Sequence, residues 1–495
     1  MPTTVSPPPL RLHPPRPAAS SPSRLSQRVA LWCIALSLCL LFPAPEAHAL
    51  FGKTTVVDEN EMGREFDKKV RKMLPIVEDP FIHNYVEGVV NRVYETMPPQ
   101  PFQVTTAVIL NDSLNAFAIP GGFVYVFTGL LAQLESEDQL AAVISHELAH
   151  VSQRHVIDRM EKMEKVSLAS TIGTLAGVFI GATGNADTSK MGQALAIGSQ
   201  AAGQAAFLSY TQENEREADH VGINYLVAAG YNPAGMPETF ELMLKTQFAG
   251  RSSTIPSYLS THPKLSERAG YLHDRIKEMA TDVVSRNNSL AQFRKVRSLV
   301  RGRLSDPTWA EATIVNMNPT EVSCYDRMAL GMVNARMKHR EPAEQAFEQA
   351  LLCGGSDSLV LREAGSYYFK TGNFEKAKGY LQKSLFMNPR DVLTLYFNAR
   401  LLGEEGHHSE AIRYLQEVLD QIKTDAEVYY YLGRYQGAAG DLFHAHLNLA
   451  YSALYGNDTK QYRFHLDKAQ TQANTPEKKL ELDTLETTRK EQDSE

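Results

Sequence analysis

Gly331, Gly365, Ala399 and Gly433 stand 34 residues apart, and Ala343, Ala377, Ala411 and Ala445 keep the same interval. Gly372, Gly406 and Gly440 repeat with them. No other feature restricts the fold of this 495-residue chain as tightly. A period of this length is one helix–turn–helix unit, which cannot bury its apolar face alone and must stack on copies of itself. Small residues at the repeated positions let the two helices of a unit pack closely. The second half therefore reads as an α-helical solenoid of four units. The clearest runs from Gly365 through Tyr367, Tyr368, Gly372, Phe374 and Ala377 to Pro389.

Thirty-four is the tetratricopeptide (TPR) period. Residues 286–472 are assigned to this repeat domain, with helical material before Asp306 and after Tyr451 capping the stack. Such a solenoid offers a concave surface to a protein partner. Tyr429, Tyr430 and Tyr431 either line that surface or pack between helices. Cys324 opens the first unit and Cys353 follows its second helix, and an antiparallel hairpin brings both to one side. A disulfide there needs Cα atoms within about 7 Å, and two free buried thiols are the alternative. Residues 473–495 are charged and nearly free of aromatics, the composition of a disordered tail.

The first half carries the chemistry. In His146-Glu147-Leu148-Ala149-His150 the two histidines are four apart, so on a helix both imidazoles face one ion and Glu147 lies beside it. Ser136 reads as the N-cap of that helix, with Gln139 reaching back to complete a capping box. Leu140, Val143, Ile144, Leu148 and Val151 give it a buried face. Val156 stands where a metzincin would place a third histidine, and Gln153 replaces the glycine of that class. His155 lies about half a helical turn from His146 and reads as an exposed helix histidine. Further on, Glu215 and Asp219 share a helical face while Glu217 points away. One of that pair can bind a metal and the other can hold a ligand histidine in its tautomer.

These residues, with Asn115 to Gly122, Glu215-Arg216-Glu217-Ala218-Asp219 and Thr261-His262-Pro263, resemble the HtpX and CAAX-prenyl-protease family of zinc peptidases. The resemblance covers residues 51–279. It implies a gluzincin in which His146, His150 and Glu215 hold one Zn2+, Asp219 supports a ligand, and His262 and Arg268 face the site. Gln212 departs from the arginine that many members carry three residues before the ligand glutamate. Glu147 would be the general base. His262 either stabilises the oxyanion or fills the fourth zinc position at rest. Expected strands at residues 102–110 and 123–127, joined to the Pro120-Gly121-Gly122 turn, give the substrate an edge for main-chain pairing.

Four arginines precede an apolar stretch at residues 29–42, and Ala47-His48-Ala49 offers small residues for cleavage, so residues 1–49 read as a signal peptide. Neither Cys33 nor Cys39 sits in a convincing lipobox. Removing that leader takes four Arg and Glu46 from the 50 basic and 57 acidic residues and leaves a net charge of −10. Nothing in this balance favours nucleic acid. Within residues 150–215, the segments 166–182 and 191–207 are rich in Ala and Gly. The first is barely long enough to span a bilayer and the second too polar, so they read as a small-residue helical pair covering the site or resting on a membrane surface.

The chain is thus expected to be mainly α. A metalloprotease domain with a small β-sheet, residues 50–285, precedes the TPR solenoid. A peptidase and repeats in one exported chain resemble the BepA-like β-barrel assembly-enhancing proteases. That implies a periplasmic endopeptidase acting on unfolded or misassembled envelope proteins. Its repeats would dock on a partner, such as the outer-membrane β-barrel assembly machinery. The competing reading is a chaperone or adaptor with a latent or structural zinc site, which would have no need of Glu147.

Overall fold

Capping chemistry sets most helix boundaries in the computed structural model, which describes residues 54–162, 210–248, 258, 261–286, 288 and 290–494. The leader read at 1–49 and the segments 166–182 and 191–207 lie outside the described residues. Helix α1 (Val56–Met73) opens on a reciprocal Thr55–Asp58 box, and α2 (Pro80–Tyr94) opens on Asp79 with proline at its first position.

Three short strands follow, β1 (Thr105–Ile109), β2 (Ala116–Ile119) and β3 (Phe123–Phe127), in the spatial order β1-β3-β2. Strand β3 runs parallel to β1 and antiparallel to β2. Gly121 and Gly122 turn the β2–β3 hairpin at φ 86° and 83°, a region glycine occupies without a Cβ clash. Both sheet faces are buried. Met62, Phe66 and Val70 of α1 share a core with Ala107, Phe117 and Tyr125. Val86 and Val90 of α2 share the other with Val108, Ala118 and Val124. The expectation of strands at 102–110 and 123–127 holds for β1, in shortened form, and for β3. It missed β2, which is the edge strand packed on the His146 helix, and β3 is central.

The remaining helices of the first half are α3 (Thr128–Gln133), α4 (Glu137–Ser152), α5 (His155–Lys162), α6 (Gln212–Ala228), α7 (Gly235–Phe248), α8 (Leu265–Lys277) and α9 (Thr281–Val284). Helix α10 (Leu290–Arg303) belongs to both halves. Its Arg301 Nε donates to the Ala132 carbonyl at 2.7 Å, and its Ser298 hydroxyl donates to Asp326 of the first repeat at 3.2 Å. One apolar core runs from Ile82 and Val90 to Leu415 and Tyr435, and Thr54–Glu495 is a single compact unit. The boundary read at residue 286 marks a change of sequence pattern and no break in packing.

After α11 (Pro307–Val315) the solenoid is a series of antiparallel hairpins. They are α12 (Cys324–Arg336) with α13 (Arg340–Gly354), α14 (Ser358–Lys370) with α15 (Phe374–Met387), α16 (Val392–Glu404) with α17 (His408–Leu419), and α18 (Ala426–Ala438) with α19 (Leu442–Tyr455). Close packing explains Gly331 and Gly365, where a Cβ would lie 2.8 Å from Phe347 and from Leu381. Gly372, Gly406 and Gly440 do something else. Their φ values of 79°, 85° and 89° end the first helix of each hairpin in the left-handed region. Tyr429 stacks on Tyr451 at 5.0 Å between helices, while Tyr430 is exposed. Cys324 and Cys353 are disulfide-bonded, with Cα atoms 5.7 Å apart.

Helix α20 (Thr459–Gln472) caps the stack, and the expected disordered tail is instead helix α21 (Pro476–Ser494). Leu482 and Leu485, three residues apart, sit on one helical face and are buried with Phe443, Tyr462 and Ala469. That apolar pair outweighs the polar composition around it. No helix among the described residues is long and apolar enough to cross a membrane.

Candidate metal centre

Helix α4 opens on Ser136, whose hydroxyl accepts from the Gln139 N–H. The Gln139 side chain reaches back to the Glu135 N–H at 2.8 Å, one residue before the N-cap, so the expected reciprocal box does not form. Every residue from Gln139 to Val151 is buried, including His146, Glu147 and His150. Helix α6 brings Glu215 and Asp219 against them. Its Gly222 permits the approach, since a Cβ there would stand 3.0 Å from the Ser145 carbonyl and 3.1 Å from His146 Cα. Sequence reasoning passed over that glycine, which sits three residues after Asp219 on the packed face. His262 comes from the turn before α8, and Arg268 from within α8.

The imidazoles and carboxylates converge. His146 Nε2 lies 3.0 Å from His150 Nε2 and 3.5 Å from Glu215 Oε2. His262 Nδ1 lies 3.0 Å from Glu215 Oε1 and 3.4 Å from His146 Nε2. One ligand atom from each of His146, His150, Glu215 and His262 falls within 4.8 Å of all the others. Two or three imidazoles and one carboxylate, all dehydrated, are a donor set that could hold a divalent cation. Glu147 stays outside the cluster. Its Oε1 is buried without a hydrogen-bond partner, 3.5 Å from His262 Nε2, and its carboxylate accepts from the Ala118 N–H of β2.

Around this cluster Asp219 is the hub. Its Oδ1 is 3.0 Å from His146 Nδ1, and Arg268 binds both its oxygens, Nε to Oδ2 at 2.8 Å and Nη2 to Oδ1 at 2.6 Å. Tyr271 also donates to Asp219, and Arg268 Nη1 pairs with Glu215. Arg268 is thus a guanidinium shared by both carboxylates. Gln212 lies at the surface and accepts from Lys264 at 3.1 Å. Phe240 lies under the Arg268 guanidinium at 4.4 Å. Tyr210 stacks on His150 at 3.8 Å and Tyr258 on His262 at 4.2 Å. No spacing rule ties these three aromatics to the site, because they arrive through the tertiary fold.

His155 corrects the sequence reading twice. It is buried, and its Nδ1 lies 2.8 Å from His150 Nδ1. Arg154 takes φ 54° and ends α4, so the helix on which His155 was placed does not continue. Glu217 turns away from Glu215 as expected and meets His155 Nε2 at 3.3 Å.

The environment separates two carboxylates. Burial lifts the Glu147 carboxyl above its usual range, although His262 and His146 pull the other way. Burial opposes ionisation of Glu215 too, but His262 and Arg268 outweigh it and hold that group well below the usual range. For His146, burial and Arg268 act downward, yet Asp219 and Glu215 carry it up to about 9. Burial drives His150 well below its ordinary value.

Comparison with known proteins places the stretch that holds this cluster in a known family's range. Residues 78–276, which hold every group named above, match the model of peptidase family M48. The beta-barrel assembly-enhancing protease of Escherichia coli (strain K12) is 29% identical over 281 residues, covering 54% of this chain and 56% of that protein. The putative beta-barrel assembly-enhancing protease of Vibrio cholerae serotype O1 is 30% identical over 247 residues, 47% of each chain. The mitochondrial metalloendopeptidase OMA1 of Schizosaccharomyces pombe is 27% identical over 233 residues, 46% of this chain and 64% of that one. This chain thus spans about half the length of the first of these relatives.

Proposed function

We propose that this chain, whose residues 78–276 are a peptidase family M48 domain, is a zinc-dependent endopeptidase of unfolded or misassembled envelope proteins. His146, His150 and Glu215 would hold the ion. The observation that carries the reading is their convergence with His262 within 4.8 Å, beside the buried Glu147 carboxylate, whose Oε1 has no hydrogen-bond partner. Zinc held there would acidify a water and polarise a carbonyl oxygen.

Glu147 takes the proton of the attacking water and delivers it to the leaving amine, the work suited to a carboxyl lifted by burial. Arg268, and His262 once withdrawn, would stabilise the negative charge that develops on the carbonyl oxygen. Asp219 fixes the His146 tautomer from Nδ1. His262, 3.0 Å from Glu215, would be a further imidazole ligand at rest and would have to withdraw before it could serve the carbonyl oxygen. The substrate backbone pairs with the edge strand β2, whose Ala118 N–H already touches Glu147.

The relatives' names include β-barrel assembly, and the arginine-flanked apolar leader suits export. We therefore place the work in the periplasm of a Gram-negative bacterium, with the repeats docked on a protein of the outer-membrane assembly machinery. A purely structural zinc site would leave Glu147 buried for nothing, which counts against the adaptor reading.

The test is cleavage of an unfolded model protein by the purified mature chain. Glu147→Gln should keep its zinc and lower turnover by at least 100-fold. Chelation should abolish turnover, and added zinc should restore it. Undiminished hydrolysis by Glu147→Gln would remove the proposed base. A wild-type chain that binds zinc without cleaving, and is awakened by His262→Ala, would locate the block at His262.

A further inference from the structure

We propose that Glu217 and His155 are positioning residues for His150, forming a hydrogen-bonded chain that fixes its tautomer and ring orientation. The proposal rests on the reading of His150 as a metal ligand. Helix α4 ends at Ser152, Arg154 turns the backbone through φ 54°, and α5 starts at His155. That break swings the His155 ring back beneath His150, at a centroid separation of 4.9 Å. His155 is 3% exposed, and its ring nitrogens pair with His150 and Glu217.

The protons can be counted. His150 Nε2 faces the ligand cluster, 3.0 Å from His146 Nε2 and 3.4 Å from Glu215, so a ligating His150 carries its only proton on Nδ1. The two Nδ1 atoms are 2.8 Å apart and share one hydrogen. His150 therefore donates and His155 Nδ1 accepts. His155 must then carry its proton on Nε2, where the Glu217 carboxylate accepts it at 3.3 Å. A single arrangement satisfies all three groups. It mirrors the other side of the site, where His146 Nδ1 meets Asp219 at 3.0 Å. Each ligand histidine then has its outward nitrogen engaged, one by a carboxylate directly and one by a carboxylate through a second imidazole.

Glu217 is placed for this by α6 itself. It lies two residues after Glu215, so the two carboxylates leave the helix in different directions, Glu215 towards His150 Nε2 and Glu217 towards His155 Nε2. Its side chain is half exposed, and loss of its charge leaves no buried ion unpaired.

The experiment measures zinc affinity of the full chain by competition with a chelating dye, alongside unfolding of the metal-free protein and kcat and KM on an unfolded substrate. His155→Ala and Glu217→Ala should each weaken zinc binding about 10–100-fold, the range seen when such supporting groups are removed. His155→Asn, whose carbonyl oxygen can accept the His150 proton, should recover most of the loss. Metal-free unfolding of Glu217→Ala should match wild type, and KM should hold while kcat falls. Wild-type zinc affinity in both His155→Ala and Glu217→Ala would overturn the proposal. So would equal losses in the Ala and Asn variants, which would reduce His155 to packing. His150→Ala separates the two readings. If it retains wild-type zinc affinity, the ligand assignment fails and the chain falls with it.

Discussion

Glu147 and Glu215 carry the same side chain into one buried site and leave with opposite tendencies, one lifted and one held down. The difference is the Arg268 guanidinium beside Glu215 and the imidazoles that hydrogen-bond it, which no residue-level pattern in the sequence encodes. Asp219 is the strongest test at this scale. It is wholly buried and binds Arg268 through both oxygens, so Asp219→Asn leaves a dehydrated guanidinium half-paired. Chemical denaturation should show a loss of about 3 kcal/mol. The exposed pair Lys277–Asp274 offers the control, and Asp274→Asn should leave the denaturation midpoint unmoved. The pair His146 and His150 was legible because four-residue spacing alone sets it. His155 was misread because one left-handed residue, Arg154, cancels the helical geometry on which that reading depended.

At the scale of elements, the repeat was legible and its chemistry was only half legible. Period 34 located the hairpins, but Gly331 and Gly372 serve different ends, close packing against Phe347 in one case and a left-handed turn in the other. In the first hairpin the turn position belongs to Lys338, with φ 62° and an exposed side chain. A Cβ in that region costs about 1 kcal/mol. Lys338→Gly should therefore raise the stability of the chain by about 0.5–1 kcal/mol, read from the denaturation midpoint at constant slope. No change there would mean that the rest of the turn already relieves the strain. Strand β2 escaped notice because it has four residues, all buried, and no alternation to mark it. The final helix escaped because composition averages over Leu482 and Leu485, the two residues that decide it.

For the whole molecule, a line of charge, buried at Arg362 and Glu363, ties peptidase to repeats. Asp79, the cap of α2, pairs with Arg303 of α10 at 2.7 Å, and Arg303 also binds Glu363 of the second hairpin. Glu363 meets Arg362 at 2.7 Å, and Arg362 reaches Asp391 at 2.9 Å. Burial alone would raise the Glu363 carboxyl, but Arg303 and Arg362 outweigh it and hold it down at about 2. A carboxyl depressed in the folded state stabilises fully above its unfolded value near about 4.5, and loses that contribution as pH falls towards 2. We expect about 3 kcal/mol at neutral pH from this group. The stability gap between wild type and Glu363→Gln should accordingly narrow between pH 5 and 2.5. A gap that stays constant with pH would show that the carboxylate's charge is not what joins the halves.

Two periods and one short motif were written in the sequence itself. The 34-residue interval, the 3.6-residue helical face and the four-residue histidine spacing act between neighbours along the chain, so local geometry fixes them without reference to the rest. What the tertiary structure alone decided were meetings between residues far apart. Gly222 lets α6 reach α4, Arg154 returns His155 to His150, Tyr210 and Tyr258 cover the imidazoles, and Arg303 bridges Asp79 and Glu363. Each depends on close packing of separate elements and on charge pairing in a dehydrated interior. Both appear only once the chain has folded around them.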